Sequence, residues 1–426
     1  MAWFGKNKVK NTAPEEVVEE PMLPPPPATN QAGQRSMQDH AEYLLGLVEP
    51  LRPFGMGLLE SWGQVICEDV ESLVDVPAHS TALVEGYAVR AADLHDESGQ
   101  RVETMHLFQL SGRLPVGAVQ RVGVGDRLPP GATAVLPEVY VALEGEQVRV
   151  FETVVDGEYV RSKGEHLAAG QPLLRRGDVL DDRAIGLLAS GGIDKVFVRP
   201  RPRVVVIGSG EGLAEPGRAG GEGEASVANS YLIAAAAKAA GAAVFHTIVG
   251  TNDEVTLAQA VTDQLIRADL VISATGGKRE DYEAMAAALG TLGQIDSAQL
   301  AMTPGRTQTF GLIGEDRIPV LMLPGNPVSA YVTFQAFCWP IIRKLAGADP
   351  RRKLVRGITT MNIRSVPGHT HLLRATTATE SGINRVTQVS RPHALAELRE
   401  TDVLVVLDAD TQSVATGQHV YFWELN

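Results

Sequence analysis

Residues 318–347 read IPVLMLPGNPVSAYVTFQAFCWPIIRKLAG. Its first part, 318–323, is a short apolar run of the kind that lies in the middle of a sheet with both faces covered. After the run, Asn326 suits a helix N-cap, and Pro327 falls at the first helical position, where its missing N–H does no harm. A buried strand is therefore predicted to pass through a tight turn into a helix.

The helix after this turn is predicted to be largely buried, because apolar side chains surround much of its circumference. Pro340 should bend it, and Gly347 should end it. At the N-terminus of a helix, unpaired N–H groups and the positive end of the helix dipole converge and can bind an anion. Taken alone, the stretch is equally consistent with a turn that binds no ligand.

Composition narrows the class of protein. The chain has 426 residues, enough for several domains, with 44% apolar residues, 5% aromatic residues and 43 glycines. These values are typical of a loop-rich α/β protein. The formal charge of −13 argues against nucleic acid or an anionic membrane as the main partner.

The sequence also favours a cytoplasmic protein. No apolar run approaches the roughly 18 residues of a membrane-spanning helix, so no membrane insertion is expected. The basic N-terminus leads into Pro and Glu residues, which is unlike a signal peptide. Cys67 and Cys338 lie far apart in apolar segments and are predicted to be small buried hydrophobes in a reducing cytosol.

Residues 1–35 are predicted to form a disordered acidic and Pro-rich tail. Glutamates precede a run of four prolines at 24–27, which favours an extended polyproline II path. Such a tail is either simply solvated or an arm that binds a partner.

Changes in the residue pattern mark the predicted boundaries between segments in the rest of the chain. Helical periodicity predicts helices near 36–48 and 57–70. The predicted segments are a linker domain from 36–75 and 150–180, an inserted β-rich domain at 76–149, an α/β domain at 181–348 and a C-terminal β domain at 349–426.

Strand and helix alternate regularly in the α/β domain, which predicts a mostly parallel sheet with helices on both faces. Gly-rich turns at 208–212, 275–277 and 324–326 follow successive strands. Since ligands bind at the carboxyl ends of parallel strands, the three turns predict a phosphate- or anion-binding cleft.

Several segments resemble motifs of one known family. These are LPGNPVSA at 323–330, EGYAVRAADL at 85–94, LPPGA at 128–132, RSKGE at 161–165 and NSY at 229–231. They are similar to motifs of the molybdopterin molybdenumtransferase family, which includes the bacterial MoeA proteins and the C-terminal domain of gephyrin. The resemblance runs from about Ser36 to the C-terminus.

The resemblance implies a fold and a reaction. The fold is α/β, with a three-layer MogA/MoeA-like mostly parallel sheet domain, an inserted β-rich module, an N-terminal helical segment and a C-terminal β module. In the reaction, molybdate is inserted into adenylylated molybdopterin and AMP is released, assisted by Mg²⁺. The resemblance also implies a homodimer, with 36–75 and 150–180 as the dimerisation domain.

Site residues follow from matching the motifs position by position. The implied catalytic residues are Glu85, Glu165, Glu211 and Asp281, of which Glu165, Glu211 and Asp281 are the implied metal ligands. The implied substrate-binding residues are Ser209, Gly210, Thr275, Gly276, Gly277, Arg306, Pro324, Gly325, Asn326 and Ser329.

The sequence departs from the family at several of these positions. Glu85 and Glu211 each replace an Asp, Thr133 replaces an Asp, Thr303 and Arg306 each replace a Lys, and Arg391-Pro392-His393 stands where the family has Gly-Ser-His. Arg306 keeps the charge and can grip phosphate with two N–H groups.

Two hypotheses therefore follow from the sequence. The first is a divergent molybdenumtransferase of molybdenum cofactor biosynthesis. The second is a gephyrin-like dimeric scaffold that binds a peptide tail of a cytoskeletal protein, such as a tubulin-like division protein, or of a membrane protein.

Overall fold

The computed structural model describes residues 23–109, 112–214, 216–217, 225–226, 228–389, 391 and 394–425. It divides into two compact units. One comprises Pro50–Arg201 with Leu345–Asp349, and the other comprises Met1–Glu49, Pro202–Lys344 and Pro350–Asn426. Compared with the segments read from the sequence, residues 36–49 group with the α/β part and residues 181–201 with the β-rich part.

The N-terminal segment leads into helix α1 (Met37–Gly46), where the Ser36 hydroxyl accepts a hydrogen bond from the Asp39 N–H as an N-cap. Residues 1–22 of the predicted tail lie outside the described residues. Residues 23–35, which the sequence placed in the same disordered tail, instead make defined contacts. The Leu23 N–H donates to Gln294 Oε1, and Arg35 forms an ion pair with Asp296.

The Pro50–Arg201 unit is rich in β-structure. Its helix is α2 (Asp182–Ser190). Its strands are β1 (Phe54–Gly57), β2 (Val70–Glu71), β3 (Thr81–Ala82), β4 (Gly86–Val89), β5 (Thr104–Leu107), β6 (Ala118–Val122), β7 (Ala134–Pro137), β8 (Val141–Glu144), β9 (Gln147–Val150), β10 (Val160–Arg161), β11 (Pro172–Leu174) and β12 (Lys195–Val198). The inserted module is the sheet of order β7-β4-β6-β5-β9-β8.

The prediction of a helix near 57–70 is wrong. The segment begins at the last residue of strand β1, continues as a series of turns, and forms bridges from Val65 to Val179 and from Ile66 to Val198. Gly63 has φ +77°, which is incompatible with a continuing right-handed helix. The apolar residues pack by pairing with strands instead.

The α/β part of the second unit contains the predicted sheet. Its strands are β13 (Arg203–Ser209), β14 (Leu213–Ala214), β15 (Ala225–Ser226), β16 (Ala243–Val249), β17 (Leu270–Thr275), β18 (Gly293–Gln299), β19 (Met302–Thr303), β20 (Thr307–Ile313) and β21 (Ile318–Leu323). Its helices are α3 (Ala228–Ala239), α4 (Glu254–Leu265), α5 (Arg279–Gly290), α6 (Pro327–Thr333) and α7 (Trp339–Leu345). The sheet has the order β16-β13-β17-β21-β20-β18, parallel from β16 to β21 and antiparallel at β20 and β18.

The start of the stretch 318–347 forms the predicted strand, turn and helix N-terminus. Strand β21 is buried, Asn326 accepts a hydrogen bond from the Ser329 N–H at 3.0 Å, and Pro327 is the first residue of α6. The predicted bend takes the form of a π-helical segment, Phe334–Cys338, just before α7. Since Pro340 has no N–H and its ring would clash with the carbonyl four residues earlier, the wider turn relieves that clash.

The C-terminal residues form a barrel. The strands of this part are β22 (Val355–Thr359), β23 (Ile363–Arg364), β24 (Thr370–Glu380), β25 (Ile383–Gln388), β26 (Val403–Leu407), β27 (Ser413–Val414) and β28 (His419–Glu424). Of these, β23 and β27 pair with each other in a separate two-stranded sheet. Pairing runs β24-β25-β22-β28-β26 and returns from β26 to β24, so the sheet closes. Among the described helices, none combines the length and apolar character needed to cross a bilayer.

Candidate functional site

The three Gly-rich turns meet at the carboxyl edge of the parallel sheet. Ser209 at the end of β13 lies beside Thr275 at the end of β17, and Ala274 lies beside Leu323 at the end of β21. The parallel register therefore brings the turns at 208–212, 275–277 and 324–326 to one edge, as the sequence predicted.

Two of these turns touch each other through their backbones. A Cβ at Gly325 would collide with the carbonyl oxygen of Gly276 and lie 3.0 Å from the Cα of Gly277. From α3, Asn229 donates through Nδ2 to the carbonyl oxygens of Thr275 at 3.2 Å and Gly325 at 2.5 Å. One amide thus joins both turns, and only glycine fits at 325.

Asp281 lies beneath the turns at the start of α5 and is 1% exposed. Asn252 donates through Nδ2 to its Oδ1 at 2.9 Å, while Oδ2 has no hydrogen-bond partner among the described residues. A Cβ at Gly276 would collide with this Oδ2, and a Cβ at Gly210 would lie 3.0 Å from it. The glycines therefore leave room for a buried carboxylate with one free oxygen.

A cleft of about 680 Å³ opens next to these turns. Lys278, Arg279 and Arg306 supply positive charge to its wall. Arg279 is paired with Glu283 at 2.6 Å on the exposed side of α5. The remaining lining residues are Gly277, Tyr282, Glu283, Ala286, Ser297, Gln299, Gly305, Thr307, Pro324, Gly325 and Ser329. Its size and charge suit an anionic organic ligand.

Arg306 is held by an ordered loop. Its carbonyl oxygen accepts a hydrogen bond from the Leu300 N–H at 2.7 Å. Gly305, with φ +93°, precedes it, and Gln308 Nε2 donates to the Gly305 carbonyl at 2.8 Å. The backbone conformation at 305 favours glycine, which fixes where the Arg306 side chain starts.

A second, small cavity of about 70 Å³ lies where the α/β part meets the barrel within the same unit. Arg374 of β24 lines it and is 4% exposed. Its Nη2 donates to the carbonyl oxygens of Arg391 and Ala394, but Nε and Nη1 have no partner in the described part of the chain. His371 and Ser329 also line the cavity. Burial lowers the pKa of both Arg374 and His371.

A buried guanidinium with unpaired N–H groups carries a large desolvation cost unless an anion or another acceptor completes its hydrogen bonds. The cavity beside it has room for a small ion. Its chemistry therefore fits an oxyanion.

The structure places the residues named from the sequence in three groups. Lining the large cleft are Gly277, Arg306, Pro324, Gly325 and Ser329. At the strand ends are Ser209, Gly210, Thr275, Gly276 and Asp281, all buried, with Glu211 exposed beside Gly210 and Asn326 exposed as the cap of α6. Glu85 and Glu165 belong to the Pro50–Arg201 unit, where both are exposed.

Within that unit, Glu85 lies 3.6 Å from Arg121, and Glu165 Oε2 accepts a hydrogen bond from the Ser162 N–H at 2.8 Å. Thr133, at a position of departure from the family, has a local structural contact. Its hydroxyl donates to Asp156 at 2.7 Å and accepts from the Ala91 N–H at 2.9 Å. Pro392 and His393 lie outside the described residues.

Sequence reasoning missed Lys278, Asn252 and Arg374. Arg374 did have a local signal, because it lies in the otherwise apolar run Leu372 to Ala375, and a cation in such a strand is seldom buried without a partner. Asn252 had none, since it reaches Asp281 only through the packing of the sheet.

The described residues contain no cluster of three or more His, Cys, Asp or Glu side chains that could hold a metal ion. Mg²⁺ does not require such a cluster, because it commonly takes one or two carboxylates and completes its octahedron with water and substrate phosphates. The free Oδ2 of Asp281 is one oxygen of this kind.

Comparisons with known proteins cover nearly the whole chain. Residues 35–192 match the MoeA N-terminal region (domains I and II), residues 205–344 a probable molybdopterin-binding domain, and residues 356–425 the MoeA C-terminal region (domain IV). The solved molybdopterin biosynthesis MoeA protein from Pyrococcus horikoshii superposes with a TM-score of 0.80 at 21% identity, covering 92% of this chain and 99% of that one. The predicted fold class is thereby confirmed.

Two relatives from Mycobacterium tuberculosis are also similar over their full length. Molybdopterin molybdenumtransferase 1 is 33% identical over 417 residues, covering 91% of this chain and 98% of the relative. Molybdopterin molybdenumtransferase 2 is 29% identical over 408 residues, covering 92% and 100%. From these matches, the chain belongs to the molybdopterin molybdenumtransferase family.

Proposed function

We propose that this protein inserts molybdate into adenylylated molybdopterin with release of AMP, in molybdenum cofactor biosynthesis. The observation that carries the proposal is the cationic cleft of about 680 Å³ at the Gly-rich turns, next to a buried carboxylate. The names of the relatives favour this activity over the peptide-binding scaffold, which is therefore not proposed.

The organic substrate belongs in the large cleft. Its pyrophosphate linkage needs cations and N–H donors, which Lys278, Arg306 and the glycine turns supply. The turns allow backbone to approach the phosphates closely because Gly277 and Gly325 have no side chains. The other acidic positions, Glu85, Glu165 and Glu211, remain predictions from the resemblance.

Molybdate, a tetrahedral dianion, fits the small cavity. The unpaired Nε and Nη1 of Arg374 can donate to two of its oxygens, and Ser329 lines both this cavity and the large cleft. The shared residue supports neighbouring sites for the two substrates. Proximity of this kind is a main source of rate enhancement in two-substrate reactions.

We assign Mg²⁺ to Asp281. The free Oδ2 supplies one hard oxygen ligand, and Asn252 fixes the carboxylate so that this oxygen stays available. When bound, the ion neutralises charge on the phosphates of the substrate.

A homodimer in the cytoplasm completes the proposal. Large apolar side chains are exposed in the Pro50–Arg201 unit, including Leu59, Trp62, Leu73 and Phe197, and a second copy would cover such a surface. Two free cysteines are compatible with a reducing compartment. Light scattering on the purified protein tests the dimer.

The activity is tested directly. Purified protein with adenylylated molybdopterin, molybdate and Mg²⁺ should release AMP, measured by chromatography, and AMP release should fall when molybdate is omitted. A mutant cell without its own transferase should regain molybdoenzyme activity when given this gene. Absence of both AMP release and rescue contradicts the proposal.

A further inference from the structure

Residues 30–36 lie along the loop that carries Arg306, although the sequence assigned most of them to a tail. Arg35 forms a bidentate ion pair with Asp296 of β18. Its N–H donates to the Gln299 carbonyl at 2.9 Å, and its carbonyl accepts from the Ala301 N–H at 2.8 Å. The segment is thus fixed by both side-chain and backbone bonds at 299–301, the stretch that leads to Arg306.

A tight turn holds the residue before Arg35. Asn30 Oδ1 accepts from the Gln34 N–H at 3.0 Å, and the Asn30 N–H donates to the Gln34 carbonyl at 2.8 Å. Gly33 has φ +72°, which closes this turn at low cost. Gln34 is 4% exposed, so it is buried.

The amide of Gln34 faces the guanidinium of Arg306. With its oxygen on that side, it accepts from Nε and from Nη2, both at 3.1 Å. The opposite orientation would set its NH₂ group against two N–H donors. His369 Nε2 lies 3.4 Å from the same amide.

We propose that Gln34 is a positioning residue that orients the Arg306 guanidinium for the phosphates of the substrate. Gln34 occupies two of the five N–H groups and leaves the other three for a ligand in the cleft. Because a neutral amide accepts these bonds, the positive charge stays available for the anion. A carboxylate in the same place would cancel it.

A positioning role for Gln34 can be told apart from a purely structural role by combining the loss of Gln34 with the loss of Arg306. If Gln34 acts through the Arg306 guanidinium, the loss of the Gln34 amide should not weaken pyrophosphate binding further once the guanidinium has been removed. If Gln34 only stabilises the fold, the two losses should add.

The test uses the full-length protein and inorganic pyrophosphate, the linkage present in adenylylated molybdopterin, with binding measured by calorimetry. We expect Gln34→Met to weaken pyrophosphate binding about tenfold, the effect of losing hydrogen bonds to a charged group. In an Arg306→Met background, the added Gln34→Met change should alter affinity less than about twofold. Gln38→Met is the control, since Gln38 is exposed on α1 and bonds only Glu42 in the described structure.

Three results would overturn the inference. The first is that Gln34→Met binds pyrophosphate as tightly as the wild type, and the second is that Gln34→Met still weakens binding about tenfold in the Arg306→Met background. The third is that the wild type does not bind pyrophosphate. If Gln34→Met does not fold, Gln34→Ser, whose hydroxyl is too short to reach Arg306, replaces it with the same expectations.

The pyrophosphate test does not depend on the proposed function, but the expected effect of Gln34 on enzyme turnover does. There, Gln34→Met should raise the KM for adenylylated molybdopterin about tenfold with kcat changed less than about threefold, and its unfolding temperature should match that of Gln38→Met. A wild type that binds pyrophosphate but releases no AMP refutes the proposed function and leaves the pyrophosphate result for Gln34 standing.

Discussion

Asn252 donates a hydrogen bond from Nδ2 to Oδ1 of Asp281 at 2.9 Å, and the other oxygen of this buried carboxylate has no partner within the described ranges. A buried carboxylate with one oxygen that lacks a hydrogen-bond partner lowers the stability of the fold. Such a cost is typical of a group retained for binding or catalysis.

Asp281→Asn should therefore separate activity from stability. We expect AMP release to fall at least about 10²-fold, the size seen when one electrostatic group is removed from an active site. The temperature of unfolding should stay equal or rise, because a buried carboxylate oxygen without a partner is removed while an oxygen remains to accept the bond from Asn252. Asp263→Asn, on the exposed face of α4, is the control for both measurements. An activity loss matched by a fall in unfolding temperature would contradict this prediction.

Gly325→Ala should destabilise the α/β part by about 1–3 kcal/mol, the usual cost of overpacking. The new methyl group would collide with the Gly276 carbonyl and separate the two turns that Asn229 joins. Gly277→Ala is a close stability control, since a Cβ there meets nothing within 4 Å. Urea unfolding should show a lower midpoint for the first variant and a change within about 0.5 kcal/mol for the second. Equal midpoints for the two variants would rule out the backbone contact as the reason for glycine at 325.

Local patterns allowed the centre of the fold to be predicted, because they act over a few residues. The apolar run at 318–323, the cap at Asn326 and the Gly-rich turns are each encoded within a short window. Parallel pairing then brings the turns together without further information.

The rest of the site depends on contacts between distant segments. Gln34 reaches Arg306 because Arg35 pairs with Asp296, and the cavity at Arg374 exists because β19 runs parallel to β24. Neither pairing has a signature within a short window. The prediction of a helix near 57–70 was wrong for a related reason. Its apolar periodicity is typical of a helix, but Gly63 has a positive φ and the apolar residues pair with distant strands.

Arg374→Met should weaken the use of molybdate selectively. We expect the molybdate concentration for half-maximal AMP release to rise about 10–100-fold, because two charge-assisted hydrogen bonds are lost. The KM for adenylylated molybdopterin should change less than about threefold, since Arg374 does not line the large cleft. Arg364→Met is the control, because Arg364 is an exposed arginine on β23 of the same C-terminal part. Equal increases for both substrates would argue against a molybdate site in this cavity.

His40 should make stability depend on pH in a defined window. This residue of α1 is 1% exposed, packs edge-on against Phe337 with ring centroids 5.3 Å apart, and has no hydrogen-bond partner for either ring nitrogen among the residues described. Burial, together with the charge of Arg35, lowers its pKa to about 4, while Asp296 opposes the shift.

Between pH 6.5 and pH 4, the unfolded chain binds a proton at this site and the folded chain does not, so stability falls as the pH falls through this window. The full contribution is on the order of 3 kcal/mol. In His40→Leu the urea midpoint should change less between pH 7 and pH 4.5 than in the wild type, because the apolar replacement has nothing to protonate. His79→Leu, at an exposed position, should keep the wild-type dependence. If His40→Leu and wild type show the same pH slope, the pKa of His40 is the same in the folded and unfolded states, and the lowered pKa is refuted.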